Sequence, residues 1–103
     1  MKLPAKREWH KEARKFFNDI KSMYEIDEKH RAAFYGTTDN LHRYNMAADQ
    51  LNSEGITYKT ESGQIKKHPA CQIAKEAWSG FLMGLKALGL HEYQTKLGRP
   101  PGG

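Results

Sequence analysis

With one cysteine, Cys71, the chain cannot close an intramolecular disulfide, and no charged start followed by an apolar core marks a secretory leader. A reducing cytoplasm is the expected setting. Long apolar runs are also missing. The longest cluster, from Phe81 to Leu90, is interrupted by Lys86 and falls well short of the roughly 20 residues that cross a bilayer, so no membrane partner is expected. There is no GxxxxGK[ST] loop to cradle a nucleotide phosphate, and the carboxylates Asp27, Glu28, Asp39 and Asp49 are strung out without a tight cluster. Nothing in the sequence implies a cofactor.

The 103 residues that remain to be explained make one small domain, 1–98, with a glycine- and proline-rich tail at 99–103 expected to be flexible. Hydrophobic residues at 38% and aromatics at 11% suffice for a core. A mean hydropathy of −0.86 makes that core a lean one. Charge is segregated. Residues 1–24 carry seven Lys/Arg against three Asp/Glu, residues 25–54 three against six, and residues 55–103 seven against three. Basic segments therefore flank an acidic middle, and the formal net charge of +5 favours polyanionic partners.

Trp9, Ala13, Phe16, Ile20 and Met23 recur in steps of four and three, which predicts an amphipathic helix from Pro4 to about Met23. Its lysines and arginines, Lys6, Arg7, Lys11, Arg14 and Lys15, fall largely off that apolar seam. A second helix is expected from an Asp27 N-cap to Gly55, carried by Phe34, Leu41, Tyr44, Ala48 and Leu51, with Gly36-Thr37-Thr38-Asp39 as a possible break. Beyond Gly55 the period changes to alternation at Ile56, Tyr58 and Thr60, and Ser62-Gly63 signals a turn ahead of Ile65. A short hairpin of this kind is marginal alone and must pack on the helices or on another chain.

The third helix starts at Pro69 and is closed by Gly89. Apolar residues cover most of its circumference, more than a three-helix monomer readily shields. That argues for an oligomer with Trp78, Phe81, Leu82 and Leu85 at the subunit contact. Gly80 and Gly84 have a spacing suited to close helix packing.

His68 and Cys71 are three residues apart and would share one helical face. A structural zinc site needs four ligands, however, and His10, His30, His42 and His91 are scattered. Cys71 lies inside an apolar helix, where thiols are usually inert packing. His68 and Pro69 are therefore read as structural, the histidine capping free amides at the start of the helix, and no metal site is assigned. A small metal-dependent nuclease using His68 and Cys71 is the weaker alternative. The remaining functional signal is cationic: Lys6, Arg7, Lys11, Arg14 and Lys15 on the first helix, and Lys66 and Lys67 with Lys59 at the hairpin, placed to follow a phosphate backbone.

In this order the pieces resemble the small subunit of a bacteriophage terminase, the DNA-recognition component of a genome-packaging motor. The residues that carry the resemblance are the Glu8-Trp9 pair, DEKHRAAF opening the second helix, Tyr44 and Ala48 ahead of LNSEGI, Gly63 ahead of KKHPACQIAKEA, and Leu88-Gly89-Leu90. It extends from about residue 5 to residue 99. The resemblance implies a mainly α fold: an antiparallel helical hairpin and a third long helix, with the β-hairpin between helices two and three, assembled as a homo-oligomeric ring. It implies a non-enzymatic protein in the host cell cytoplasm that binds viral double-stranded DNA at the packaging site and presents it to the large terminase subunit, which holds the ATPase and nuclease. A protein-interaction adaptor with little DNA affinity of its own is the alternative within the same complex.

Overall fold

In the computed structural model, which describes residues 2–90, three helices build the body: α1 (Lys11–Met23), α2 (Arg31–Glu54) and α3 (Ala70–Ala87). Between α2 and α3 lie two strands, β1 (Thr57–Lys59) and β2 (Ile65–Lys67), paired antiparallel with Tyr58 opposite Lys66. Both α1 and α3 pack on α2. The expected tail at 99–103 and the short turn around Tyr93 and Leu97 lie outside the described residues.

The first helix begins later than its seam predicts. Residues 2–10 are not helical, and His10 is the N-cap of α1, its ring Nδ1 accepting the Glu12 amide at 3.1 Å. Pro4 is thus not in a first helical turn; its carbonyl accepts the Tyr35 hydroxyl at 2.6 Å. Trp9 keeps the spacing of the seam and is buried, but it reaches the core from the segment ahead of the helix. Its indole N–H is drawn to Asp39 on α2 at 2.8 Å, a partner thirty residues away that local periodicity cannot reveal.

A single 3-10 turn, Glu28–His30, leads into α2, with Asp27 at the N-cap position but without a side-chain cap bond. The second helix then continues unbroken through Gly36. Thr37 and Thr38 are buried, and their hydroxyls donate to the Ala33 carbonyl at 2.7 Å and the Phe34 carbonyl at 2.9 Å. The polar groups that threatened the helix are thereby satisfied inside it. At about 1.5 Å per residue, α2 is a rod of roughly 36 Å against which the other helices are set. It ends at Gly55, whose φ of 85° suits glycine.

The C-terminal end of α3 explains Leu88-Gly89-Leu90 in physical terms. The Leu90 amide donates to the Leu85 carbonyl at 2.8 Å and the Gly89 amide to the Lys86 carbonyl at 3.1 Å, with Gly89 at a φ of 76°. This is a Schellman cap, and its apolar lock, Leu85 with Leu90, is buried.

The core gathers Phe16, Phe17, Phe34, Trp78, Phe81 and Leu85 from all three helices. Phe17 stacks on Phe34 at 4.3 Å between ring centres, and Phe16 meets Phe81 edge-on at 5.1 Å. Within the chain α2 and α1 cover Trp78, Phe81 and Leu85 of the third helix, while Ile73 and Met83 stay exposed. Gly80 and Gly84 let α2 come so close that a Cβ at either position would run into Asn40 or Thr37. Trp78, Phe81 and Leu85 are consequently buried in their own chain, and Leu82 is half-buried.

Candidate nucleic-acid interface

Buried Ala13, Phe16, Phe17 and Ile20 fix the rotation of α1 about its axis. That leaves Lys11, Arg14 and Lys15 exposed, and their i, i+3, i+4 spacing makes them neighbours on one patch. Among the described residues none of the three side chains has a hydrogen-bond or ion-pair partner, nor does that of Arg7, which is exposed just ahead of the helix. Cations left without carboxylates keep their whole charge for an external anion.

Lys6 differs from the others. Its ammonium bridges both Asp39 oxygens, at 3.2 and 3.3 Å, and lies over the rings of Trp9 and Tyr35 at 5.7 and 6.0 Å. The structure therefore removes Lys6 from the α1 patch and gives it to the tie that holds the N-terminal segment to α2. Lys66 and Lys67 are exposed on β2, a separate element, and successive side chains of a strand point to opposite faces. Two basic surfaces result, a compact one on α1 and a two-sided one on the hairpin, where Lys59 also lies.

His68 has both ring nitrogens occupied. Nδ1 accepts the Ala70 amide at 3.0 Å, at the start of α3, and Nε2 faces Glu54 Oε1 at 3.2 Å. The hydrogen bond from His68, and then one from Gln50, hold the Glu54 carboxyl below the usual carboxylate range. The His68 amide also donates to the Ile56 carbonyl at 2.7 Å, joining the root of the hairpin to α3. Pro69 occupies the N-cap position. Cys71 is half-buried, with its sulfur 3.9 Å from the Ile56 carbonyl. Among the described residues no group of three or more His, Cys, Asp or Glu side chains is placed to hold a metal ion.

Sequence reasoning missed a second copy of the same device. His10 Nδ1 caps α1, its Nε2 lies 2.7 Å from Asp49 Oδ2, and its backbone amide donates to His42 Nδ1 at 2.8 Å. In both cases a histidine binds the amide two residues ahead and a carboxylate on the last turns of α2. A histidine one or two residues ahead of the first turn of an amphipathic run was the available signal. Burial raises the phenol of Tyr44, which stays protonated in the core. Among the described residues no helix is long and apolar enough to cross a membrane.

No curated protein and no solved structure matches the chain. A family model described as phage terminase, small subunit, matches residues 5–95, most of the chain. That family is generally non-catalytic, and it implies DNA and a large subunit as partners. The order of three helices with a hairpin ahead of the third, the histidine-capped HPA start and the Leu-Gly-Leu cap are thus the features of a chain that belongs to the phage terminase small-subunit family.

Proposed function

We propose that this chain is the DNA-recognition subunit of its packaging motor: it binds viral double-stranded DNA at the packaging site without catalysis and presents it to the large subunit, which carries the ATPase and nuclease. The observation that supports this reading best is the patch of Lys11, Arg14 and Lys15, exposed on α1 and without an ion-pair partner among the described residues. Each phosphate such a cation neutralises releases condensed counterions, a gain that is independent of sequence. Lys66 and Lys67 on the hairpin add a second contact, and a ring of copies would turn weak single contacts into strong binding through multivalency. Sequence preference then comes from DNA shape as much as from base contacts.

The test is a titration of duplex DNA carrying the phage packaging end, at low salt, with the native protein and with Lys11→Glu combined with Arg14→Glu. Affinity should fall at least tenfold while the fold and the assembly mass are unchanged. Equal affinity for the two proteins would refute the α1 assignment. No binding by the native protein at any salt would favour an adaptor that acts only through the large subunit.

A further inference from the structure

The hairpin stands out from the helical body. Every residue of β1 and β2 is exposed, and so is each residue of the turn except half-buried Thr60. Its shape is nevertheless fixed at both ends. In the turn the Thr60 hydroxyl accepts the Gln64 amide at 3.2 Å and meets the Ser62 hydroxyl at 2.9 Å, while Gly63 supplies a φ of 87°. At the root the His68 amide binds the Ile56 carbonyl and the His68 ring accepts the Ala70 amide.

The register sorts the side chains of this ribbon. Thr57 pairs with Lys67 and Lys59 with Ile65, so these four share one face, and Tyr58 and Lys66 share the other. The Tyr58 ring lies edge-on to His68 at 6.4 Å, which turns that second face toward its own body and the first face outward. On the outward face Ile65 is 70% exposed, an aliphatic tip standing between two lysines. Among the described residues neither Lys59 nor Lys67 has an ion-pair partner, and the only carboxylate between residues 57 and 67, Glu61, lies in the turn.

An apolar tip flanked by uncompensated cations matches the chemistry of the DNA major groove. Phosphates line the rims of that groove, its floor carries acceptors such as guanine O6 and N7, and its one apolar group is the thymine methyl. The dimensions agree as well. Strands about 4.8 Å apart make a ribbon that the major groove, about 12 Å wide, admits, whereas the minor groove, about 6 Å wide, is too narrow for it. Ile65 and Lys67 are separated by about 6.7 Å along the strand, close to two base-pair steps of about 3.4 Å.

From this register we infer that the hairpin is the base-reading element of the protein: its outward face enters the major groove, Ile65 packs on a thymine methyl, and Lys59 and Lys67 donate to acceptors on neighbouring bases. The α1 patch then holds the duplex by its phosphates, and the hairpin selects the sequence. The inference rests on the DNA-binding reading above and gives Ile65, which no charge argument singles out, a part in it.

The experiment measures fluorescence anisotropy with the packaging-end duplex and with the same duplex in which uracil replaces every thymine, which removes the methyl groups and keeps the pairing. The native chain should prefer the thymine duplex by about fourfold, the worth of one buried methyl group. Ile65→Ser should bind the two duplexes alike, whereas Ile65→Val, still β-branched and apolar, should keep most of the preference. Circular dichroism checks that both variants keep their helices. Lys11→Glu combined with Arg14→Glu should weaken binding to both duplexes and leave their ratio unchanged. A native protein that binds packaging-end DNA without preferring thymine overturns the inference and leaves DNA binding through α1 standing. A preference that survives in Ile65→Ser also overturns it, because DNA shape then carries the methyl effect, and so does a preference lost equally in Ile65→Val. A native protein that binds neither duplex overturns the DNA-binding reading and the inference together.

Discussion

Replacing Gly84 by alanine should destabilise the protein, although alanine is the better helix former by about 1 kcal/mol. A Cβ built at Gly84 would lie 2.9 Å from both Cβ and Cγ2 of Thr37, and closer still to its hydroxyl oxygen. Thr37 cannot swing aside freely, because it is buried in α2 and its hydroxyl is held by the Ala33 carbonyl at 2.7 Å. The helices must separate, and overpacking of this kind costs typically about 1–3 kcal/mol. Set against the gain in propensity, the net loss is up to about 2 kcal/mol, a fall in Tm of up to roughly 15 °C for a domain of this size. Thermal unfolding followed by circular dichroism reads it directly. Gly36→Ala is the matched control: it sits in α2 with nothing within 4 Å of the added Cβ, so it should stabilise by about 1 kcal/mol. Thr37→Ala combined with Gly84→Ala should cost less than the two singles together, by at least about 0.5 kcal/mol. A Gly84→Ala that stabilises as Gly36→Ala does, or strict additivity with Thr37→Ala, would refute close α2–α3 packing through this glycine.

Two further outcomes follow from the ties between the helices. Asp39→Ala should cost about 1–3 kcal/mol in urea unfolding, because it strands the indole N–H of buried Trp9. Asp39→Asn, which keeps an acceptor there and loses only the half-exposed pair with Lys6, should cost less than about 1 kcal/mol; equal losses would show that the ion pair, not the indole bond, matters. Glu54 has a folded pKa below its ordinary value, so the stabilisation it brings is present above the unfolded carboxylate pKa and disappears as pH falls through the folded value. The urea midpoint of the native protein should thus drop more steeply from about pH 5 downward than that of Glu54→Gln; parallel curves would exclude the His68–Glu54 bond as the cause.

Much of the fold was legible because its signals are local. The seam of Ala13, Phe16 and Ile20, the stops at Gly55 and Gly89, and the alternation at Tyr58 each act within a few residues, and the corresponding elements are present. The start of α1 was not legible. Trp9 has the right spacing for a helix, yet its position is set by Asp39, and His10 turns the chain just before the helix begins. The third helix shows a different limit. Its composition tells how much apolar surface must be covered, but not that Gly80 and Gly84 admit α2 closely enough to cover Trp78, Phe81 and Leu85 within one chain. Charge is similarly silent about compensation. Lys6 and Lys11 read alike in the sequence, but only Lys6 meets a carboxylate.

The dependence of DNA affinity on salt tests most directly whether this chain holds DNA through uncompensated cations. Plotted as log K against log salt concentration for packaging-end duplex, the native protein should give a steep negative slope of about −0.9 for each phosphate contacted. Lys11→Glu combined with Arg14→Glu should flatten that slope by about 2. A native slope near zero, or one that the double variant leaves unchanged, would contradict DNA recognition through the α1 surface.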